Sequence, residues 1–404
     1  MMNIAGIIAE YNPFHTGHAY QIAQTRAALG AETAVVVAMS GNWVQGADCA
    51  IADKWTRTGL ALSGGADLVL ELPTAWAVSS AERFARGGVA VLHATGIVTH
   101  LSFGSEGGEV GPLARVADCL DTEIYQAGLR RFLDEGMSFP ACRQAVVRAL
   151  LGEADAAVLD RANNNLGVEY LRALRALNSS IQPMTVRREG GGHGSRGTAE
   201  APPRFTSATD VRGLLLSEDW AQAERYLLPG ALKTLQDGGL VTERAAAGCQ
   251  SMFLARLRTM TAADWAALPD SGAAEGLPER LVRAGRQAAT TETFFQLAKT
   301  KRYTHARLRR LLIYALLGLT EESRTDLPPY LRVLGCNERG RGLLREMKTK
   351  ATLPVVTKPA HARALSPEGL QVFEQESRCT DLYGLFFQPP RPGGLEWTTG
   401  PVVL

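Results

Sequence analysis

The chain has 404 residues, 46% hydrophobic and 21% charged, the profile of a soluble globular protein long enough for two or more domains. Its formal net charge of +2 excludes a chain-wide polycation, so any nucleic-acid affinity has to come from a local patch. Six scattered cysteines with no CxxC pair, no apolar run of the ~18 residues a membrane span needs and no signal-peptide layout give the expectation of a reduced, cytoplasmic protein.

Residues 3–9 (NIAGIIA) read as a buried strand and residues 19–29 (AYQIAQTRAAL) as a helix. Between them, IIAEYNPFHTGHAY sets His15 and His18 around Gly17 on a strand-to-helix turn. Free backbone N–H groups and the helix dipole favour an anion there, so a phosphate site is the first expectation. Glycine at 17 lets a ligand approach the backbone closely. Strand patterns follow at 33–40, 66–73 and 97–105, with helical stretches at 53–65 and 79–96 between them. Continuous apolar strands alternating with helices predict an α/β fold with a parallel sheet covered on both faces. Ligands bind such sheets at the carboxyl ends of the strands, so His15, Gly41 and Gly104 should converge on one crevice. Residues 107–180 read as a helical insertion and 181–188 as a returning strand. The stretch 189–204 (EGGGHGSRGTAEAPPR) has neither period nor bulk and reads as a mobile loop. SATDVR, 207–212, opens another helix, with Ser207 as N-cap and Asp210 as its capping-box partner. Helical texture dominates from about 215, including 290–319, which places a domain boundary there: 1–215 and a mainly α-helical 216–404.

Several residues allow two readings. His15 and His18 suit a phosphate or a metal, but no further metal ligands gather beside them. Asn12 and Asn42, at strand ends, either hold turns or touch a ligand. Glu71, inside an apolar strand, either pairs with a basic neighbour or faces the crevice. Between Arg280 and Arg310 there are nine basic residues against one acidic residue, Glu292. That run is either a solvated helix face or a phosphate-backbone surface on which Tyr303 and His305 could stack bases.

His15-x-Gly17-His18 after a strand, with Ser207-x-Thr209-x-x-Arg212 at a later helix start, resembles the HxGH nucleotidyltransferases that attack the α-phosphate of ATP and release pyrophosphate. A narrower resemblance covers nearly the whole chain. AEYNPFHTGH, MSGNWVQ, DKWTR, GADLVLELP, SSAERFA, LSFGSE, NNNLGVEYLRAL, FTSATDVR and KTKRYTHARLRRLL run in the order found in bacterial tRNA(Met) cytidine acetate ligases. The resemblance implies a Rossmann-like sheet of the HxGH type, with ATP (carrying Mg2+), acetate and elongator tRNA(Met) as substrates. Acetate would be activated as acetyl-adenylate and passed to N4 of the wobble cytidine, position 34 of the tRNA. It implies nucleotide contacts from Ile7, Ala9, Glu10, Tyr11, Asn12, Pro13, Phe14, His15, Gly17, His18 and Tyr20, then from Gly104, Asn164 with Asn165, and Arg187 or Arg188. Ser207, Thr209 and Arg212 complete the set, with His15, His18 and Arg212 as catalytic residues and no protein metal ligand. For substrate and tRNA the candidates are Lys54 and Arg57, which could compensate charge missing from the loop just before them, and, from the basic run, Lys299, Lys301, Arg302, Arg307, Arg309 and Arg310.

This chain departs from the family pattern twice. Gly46, Ala47 and Asp48 stand where the family has an arginine and a glutamate, and the 189–204 loop is longer than usual. Two competing expectations are an adenylyltransferase acting on a phosphorylated metabolite and a non-catalytic nucleotide-sensing RNA-binding protein. Against the first, such enzymes are compact, whereas here about 190 residues separate the two motifs. Against the second, both motifs are intact.

Overall fold

The structure, a computed structural model, describes residues 2–189, 205–242 and 248–404. Its strands are β1 (Ile4–Ala9), β2 (Ala34–Ser40), β3 (Trp43–Val44), β4 (Asp48–Cys49), β5 (Leu68–Leu72), β6 (His100–Ser105), β7 (Gln182–Arg187), β8 (Leu331–Cys336), β9 (Val355–Val356) and β10 (Val402–Val403). β2, AVVVAMS, is buried along its whole length, as a strand covered on both faces should be. Its side chains alternate: Val36 and Ala38 enter one core with Leu70, Trp76 and Phe103, and Val35 and Val37 enter another with Ile7, Val69 and Val211.

The main sheet runs β10-β8-β5-β2-β1-β6-β7, with β9 added beside β8, and a separate two-stranded hairpin joins β3 to β4. β1 is parallel to β2, with Ile4 opposite Ala34, and parallel to β6, with Ala5 opposite His100. β8 is antiparallel to β5, so the expected parallel sheet is mixed at one side. From β1 the chain winds outward through β2 and β5, then returns through helix Ala81–Ala94 to β6 on the other side of β1. That reversal makes the carboxyl end of β1 the switch point at which open sheets bind ligands.

The insertion is helical as expected, its main helices being Val110–Leu120, Glu123–Asp134, Phe139–Leu151 and Ala162–Ala176. Beyond residue 216 the chain does two things. Helices Gln250–Thr259, Leu277–Gln287, Thr291–Ala298 and His305–Leu317 build a core around Trp265, Phe294 and Leu311, joined by Trp43 and Ala47 from the β3–β4 hairpin and by Tyr383. The chain then returns to the sheet through β8 and β10, so residues after 216 belong to both the helical core and the sheet. The continuous helical stretch expected over 290–319 is broken between Ala298 and His305. All six cysteines are unpaired. Among the described residues no helix is long and apolar enough to cross a membrane. Residues 190–204, nearly all of the expected mobile loop, lie outside the described residues.

Candidate active site

Helix Thr16–Leu29 begins three residues before the apolar pattern does, because His15 itself caps it. The His15 Nδ1 accepts the Gly17 N–H at 3.0 Å, and the His18 Nδ1 accepts the His15 N–H at 3.2 Å. This is a capping box written in imidazoles, which satisfies two backbone donors that the first turn would leave free. A Cβ at position 17 would lie 2.8 Å from the His15 ring, so glycine is required by the cap as well as by any ligand. The two rings sit 3.9 Å apart, and Tyr11 packs edge-on against His18 at 4.8 Å. Tyr11 adopts a left-handed φ of 45°, which turns the chain sharply out of β1.

The cap fixes the chemistry of both rings. Burial, with Arg188 and Arg212 nearby, pulls the His15 imidazole down to about 4. Burial, together with His15 and Arg188, holds His18 well below its ordinary 6.5. Both rings are therefore neutral at pH 7. With each Nδ1 accepting a backbone N–H, the proton resides on each Nε2. The pair presents two neutral N–H donors, beside two arginines.

Arg212 brings the second motif to the first. Its Nη1 donates to the Asn12 carbonyl, 200 positions away in sequence, at 2.7 Å, and its Nη2 to the Thr209 Oγ1 at 3.0 Å. Helix Ala208–Leu216 starts at the expected cap: the Ser207 Oγ accepts from the Asp210 N–H at 3.1 Å and donates to its carboxylate at 2.6 Å. The Ser207 hydroxyl is thus engaged by the cap, while Thr209 is exposed.

The opposite wall comes from β6, β7 and the insertion. Of the two arginines left open by the sequence, Arg188 influences both histidines, and its Nη1 donates to the Asn163 Oδ1 at 3.3 Å. Arg187 instead lies against Gly108. Gly104 has no Cβ to meet the Arg188 chain, which would come within 3.3 Å of one. Asn164 ties to Glu106 by two bonds, its Oδ1 accepting the Glu106 N–H and its own backbone N–H donating to the Glu106 Oε2, each at 3.1 Å. Asn163, absent from the expected set, donates to the Glu106 Oε1 at 2.8 Å. Asn165 turns away and caps the carbonyls of Leu159 and Arg161, so it does not belong to the crevice. Tyr20 donates to the Glu189 Oε1 at 2.8 Å at the crevice rim.

Other expected contacts are supporting residues. Ile7, Tyr11 and Phe14 are core, Pro13 is buried, and Ala9 is half-buried at the end of β1. The Asn12 Oδ1 accepts the Ile51 N–H at 2.8 Å and the Asn42 Oδ1 the Lys54 N–H at 2.9 Å, so both asparagine side chains hold turns.

Lys54 and Arg57 do not present charge to a tRNA, because both are fully buried. The Lys54 Nζ lies 2.6 Å from Glu71 and 2.5 Å from Glu396. Arg57 donates to the carbonyls of Glu10, Ser40, Gly41 and Ala52, clamping the loops that leave β1 and β2. Gly41 therefore belongs to this buried side: the Glu71 carboxylate occupies the space a Cβ there would need. Of the basic run, Arg307 and Arg310 pair with Glu275 and Asp270, Arg302 approaches Glu275 at 3.5 Å, and Arg280 caps the helix ending at Ala298. Tyr303 is buried with its hydroxyl on the Glu275 carbonyl, so it is core, not a stacking platform. Lys299, Lys301 and Arg309 are exposed and make no ion pair among the described residues. No cluster of three or more metal-binding side chains occurs among the described residues.

A family model described as HIGH Nucleotidyl Transferase matches residues 2–394. The chain is 34% identical to the tRNA(Met) cytidine acetate ligase of Thermoanaerobacter sp. (strain X514), over 98% of each chain. It is 35% identical to the protein of the same name from Acetivibrio thermocellus, over the full length of both. Two crystal structures of Thermotoga maritima TmcAL, one bound with alpha-thio ATP and one apo, superpose on all of the chain with a TM-score of 0.90, at 31% and 30% identity.

Proposed function

Because the chain belongs to the tRNA(Met) cytidine acetate ligases, within the HIGH nucleotidyl transferase family, we propose that it acetylates N4 of the wobble cytidine, position 34, of elongator tRNA(Met), using ATP and acetate. The observation that carries this reading is the convergence of the two motifs. Two neutral Nε2–H donors, a helix N-terminus and the guanidinium of Arg212, fixed to the loop between them, face one crevice beside Arg188.

In the first step, an acetate oxygen attacks the α-phosphate of ATP and the bond to the β-phosphate breaks. The charge growing on the leaving pyrophosphate falls where these donors already point, and preorganised donors outside bulk water are the strongest lever on such a step. Arg188 and Arg212 supply charge that the neutral histidines do not. In the second step, the cytidine amine attacks the acetyl carbon and AMP leaves. The base has to be unstacked from its loop to reach the anhydride.

The domain assignment that accompanies this reading places catalysis in the sheet built by residues 1–215 and completed by β8 and β10. It places tRNA binding in the helical core after 216, through Lys299, Lys301 and Arg309 with Arg302, Arg307 and Arg310 beside them. Mg2+ rides on ATP. The test is direct: purified protein with ATP, Mg2+, acetate and elongator tRNA(Met) transcript, followed by nucleoside mass spectrometry. N4-acetylcytidine at position 34, dependent on acetate and ATP together, is the expected product. An unmodified tRNA would refute the reading.

A further inference from the structure

The transfer step must dispose of a proton. When the exocyclic nitrogen of cytidine bonds to the acetyl carbon, it carries a hydrogen that has to leave as the amide forms. The histidines are poor acceptors for it, because each Nδ1 is taken by a backbone N–H and each Nε2 bears the proton. Three other carboxylates around the crevice are engaged. Asp210 closes the Ser207 cap, both oxygens of Glu106 are held by Asn163 and Asn164, and Glu71 is paired with Lys54.

Glu10 is neither paired with a cation nor locked in a cap: among the described residues its carboxylate accepts one hydrogen bond, from a backbone N–H. It follows β1 directly, at the switch point of the sheet. Its Oε1 accepts the Gln45 N–H at 2.7 Å and its own carbonyl accepts the Arg57 Nη1 at 2.5 Å, so backbone and carboxylate are both oriented. Its Oε2 has no hydrogen bond among the described residues, and the side chain is half-buried. Gln45 lies in the β3–β4 hairpin, whose Trp43 and Ala47 are embedded in the helical core. Glu10 therefore stands where the nucleotide crevice meets the region that would deliver the tRNA.

We propose that Glu10 is the general base of the acetyl-transfer step, its Oε2 accepting the N4 proton. This assignment rests on the ligase reading above. The N4–carbon bond forms, the bond between the acetyl carbon and the phosphate oxygen breaks, AMP departs with that electron pair, and the proton passes from N4 to Glu10 and then to water. The charged and titratable groups around Glu10 are Arg212 from helix Ala208–Leu216, Arg57 from helix Lys54–Ser63, Asp48 from the hairpin and Tyr170 from the insertion. Burial outweighs the hydrogen bond from Gln45 and the two arginines and raises the Glu10 carboxyl above its ordinary 4.5, the direction that makes a carboxylate a better base.

The experiment separates the two half-reactions in full-length wild-type, E10Q and E10D protein. Acetate-dependent ATP–pyrophosphate exchange reports adenylation, and single-turnover acetylation of tRNA from enzyme-bound acetyl-adenylate reports transfer. E10Q should lose roughly 10²–10⁴-fold more in transfer than in exchange, the range of a general base. Wild-type transfer should slow as pH falls and Glu10 takes up a proton; E10D should keep that acid limb and E10Q should lack it. Transfer by E10Q within threefold of wild type would overturn the assignment, and so would a loss of exchange as deep as the loss of transfer. A wild-type protein that shows neither reaction would take down the ligase reading itself, and this assignment with it.

Discussion

The Lys54 ammonium sits between the carboxylates of Glu71 and Glu396, with Arg332 3.5 Å from Glu396 and Glu376 bonded to Thr74. Two strands away along the same sheet, Arg188 and Arg212 reach carbonyl and hydroxyl oxygens and two neutral histidines, and form no ion pair among the described residues. Both constellations lie where strands end and both are rich in charge. In the first, charge is matched within the protein: burial alone would pull the Lys54 ammonium down, but Glu396 and Glu71 more than reverse this and hold it above its usual range. In the second, positive charge and N–H donors are left facing open space. A buried cluster that satisfies itself stitches β5, helix Lys54–Ser63 and the C-terminal segments together. A cluster that does not leaves its donors available to an anion from outside, as the proposed function requires.

The largest effect should come from breaking the matched cluster. K54M preserves length and removes the charge, leaving Glu71 and Glu396 facing each other in the interior. A loss of about 3–5 kcal/mol of unfolding free energy is expected, read as a lower urea midpoint. An unchanged midpoint would mean that the cluster holds nothing together. H18A attacks the other region. It should cut acetate-dependent exchange by roughly 10²–10³-fold, the typical result of removing one donor to a developing anion, while unfolding moves by no more than about 1 kcal/mol for the lost cap. A variant crippled in stability but not in exchange would reverse the roles assigned here.

Titration sharpens the contrast. Burial, with Glu71 beside it, pushes the Glu376 carboxyl up from 4.5 to about 8. The folded state therefore binds a proton that the unfolded state has released, and wild-type stability should decline as pH climbs from 4.5 to about 8. E376Q should flatten that decline, checked by denaturation at several pH values. His15 runs the opposite way: held down to about 4, it costs stability as pH falls from 6.5 toward that value. The smallest effect belongs to the exposed basic residues. Replacing Lys299, Lys301 and Arg309 together by alanine should leave exchange unchanged. It should weaken tRNA binding and lower the slope of log affinity against log salt by roughly 0.7–0.9 per lost phosphate contact.

The convergence of the two motifs was legible because each motif is local. A strand, two histidines and a helix within residues 3–29, and a capping box within 207–210, are each specified by neighbours in the chain. What the sequence hid depended on distance or on parity. Lys54 and Arg57 look like surface charge until Glu396, 342 positions away, and the carbonyl ends of β1 and β2 are seen to surround them. Arg187 and Arg188 differ only in which side of the chain's course they take, and three successive asparagines conceal which one faces Arg188. Glu10 was visible as one residue of a motif, but its free oxygen is a property of what Gln45 and Arg57 do to it.

The measurement that tests the central claim most directly is ATP–pyrophosphate exchange by the purified protein with Mg2+ and no tRNA, comparing acetate with formate and propionate. Neutral histidine donors and two arginines that form no ion pair among the described residues, arranged for a leaving pyrophosphate, predict exchange that requires acetate. No exchange with any of the three carboxylates, even after tRNA is added, would contradict the account.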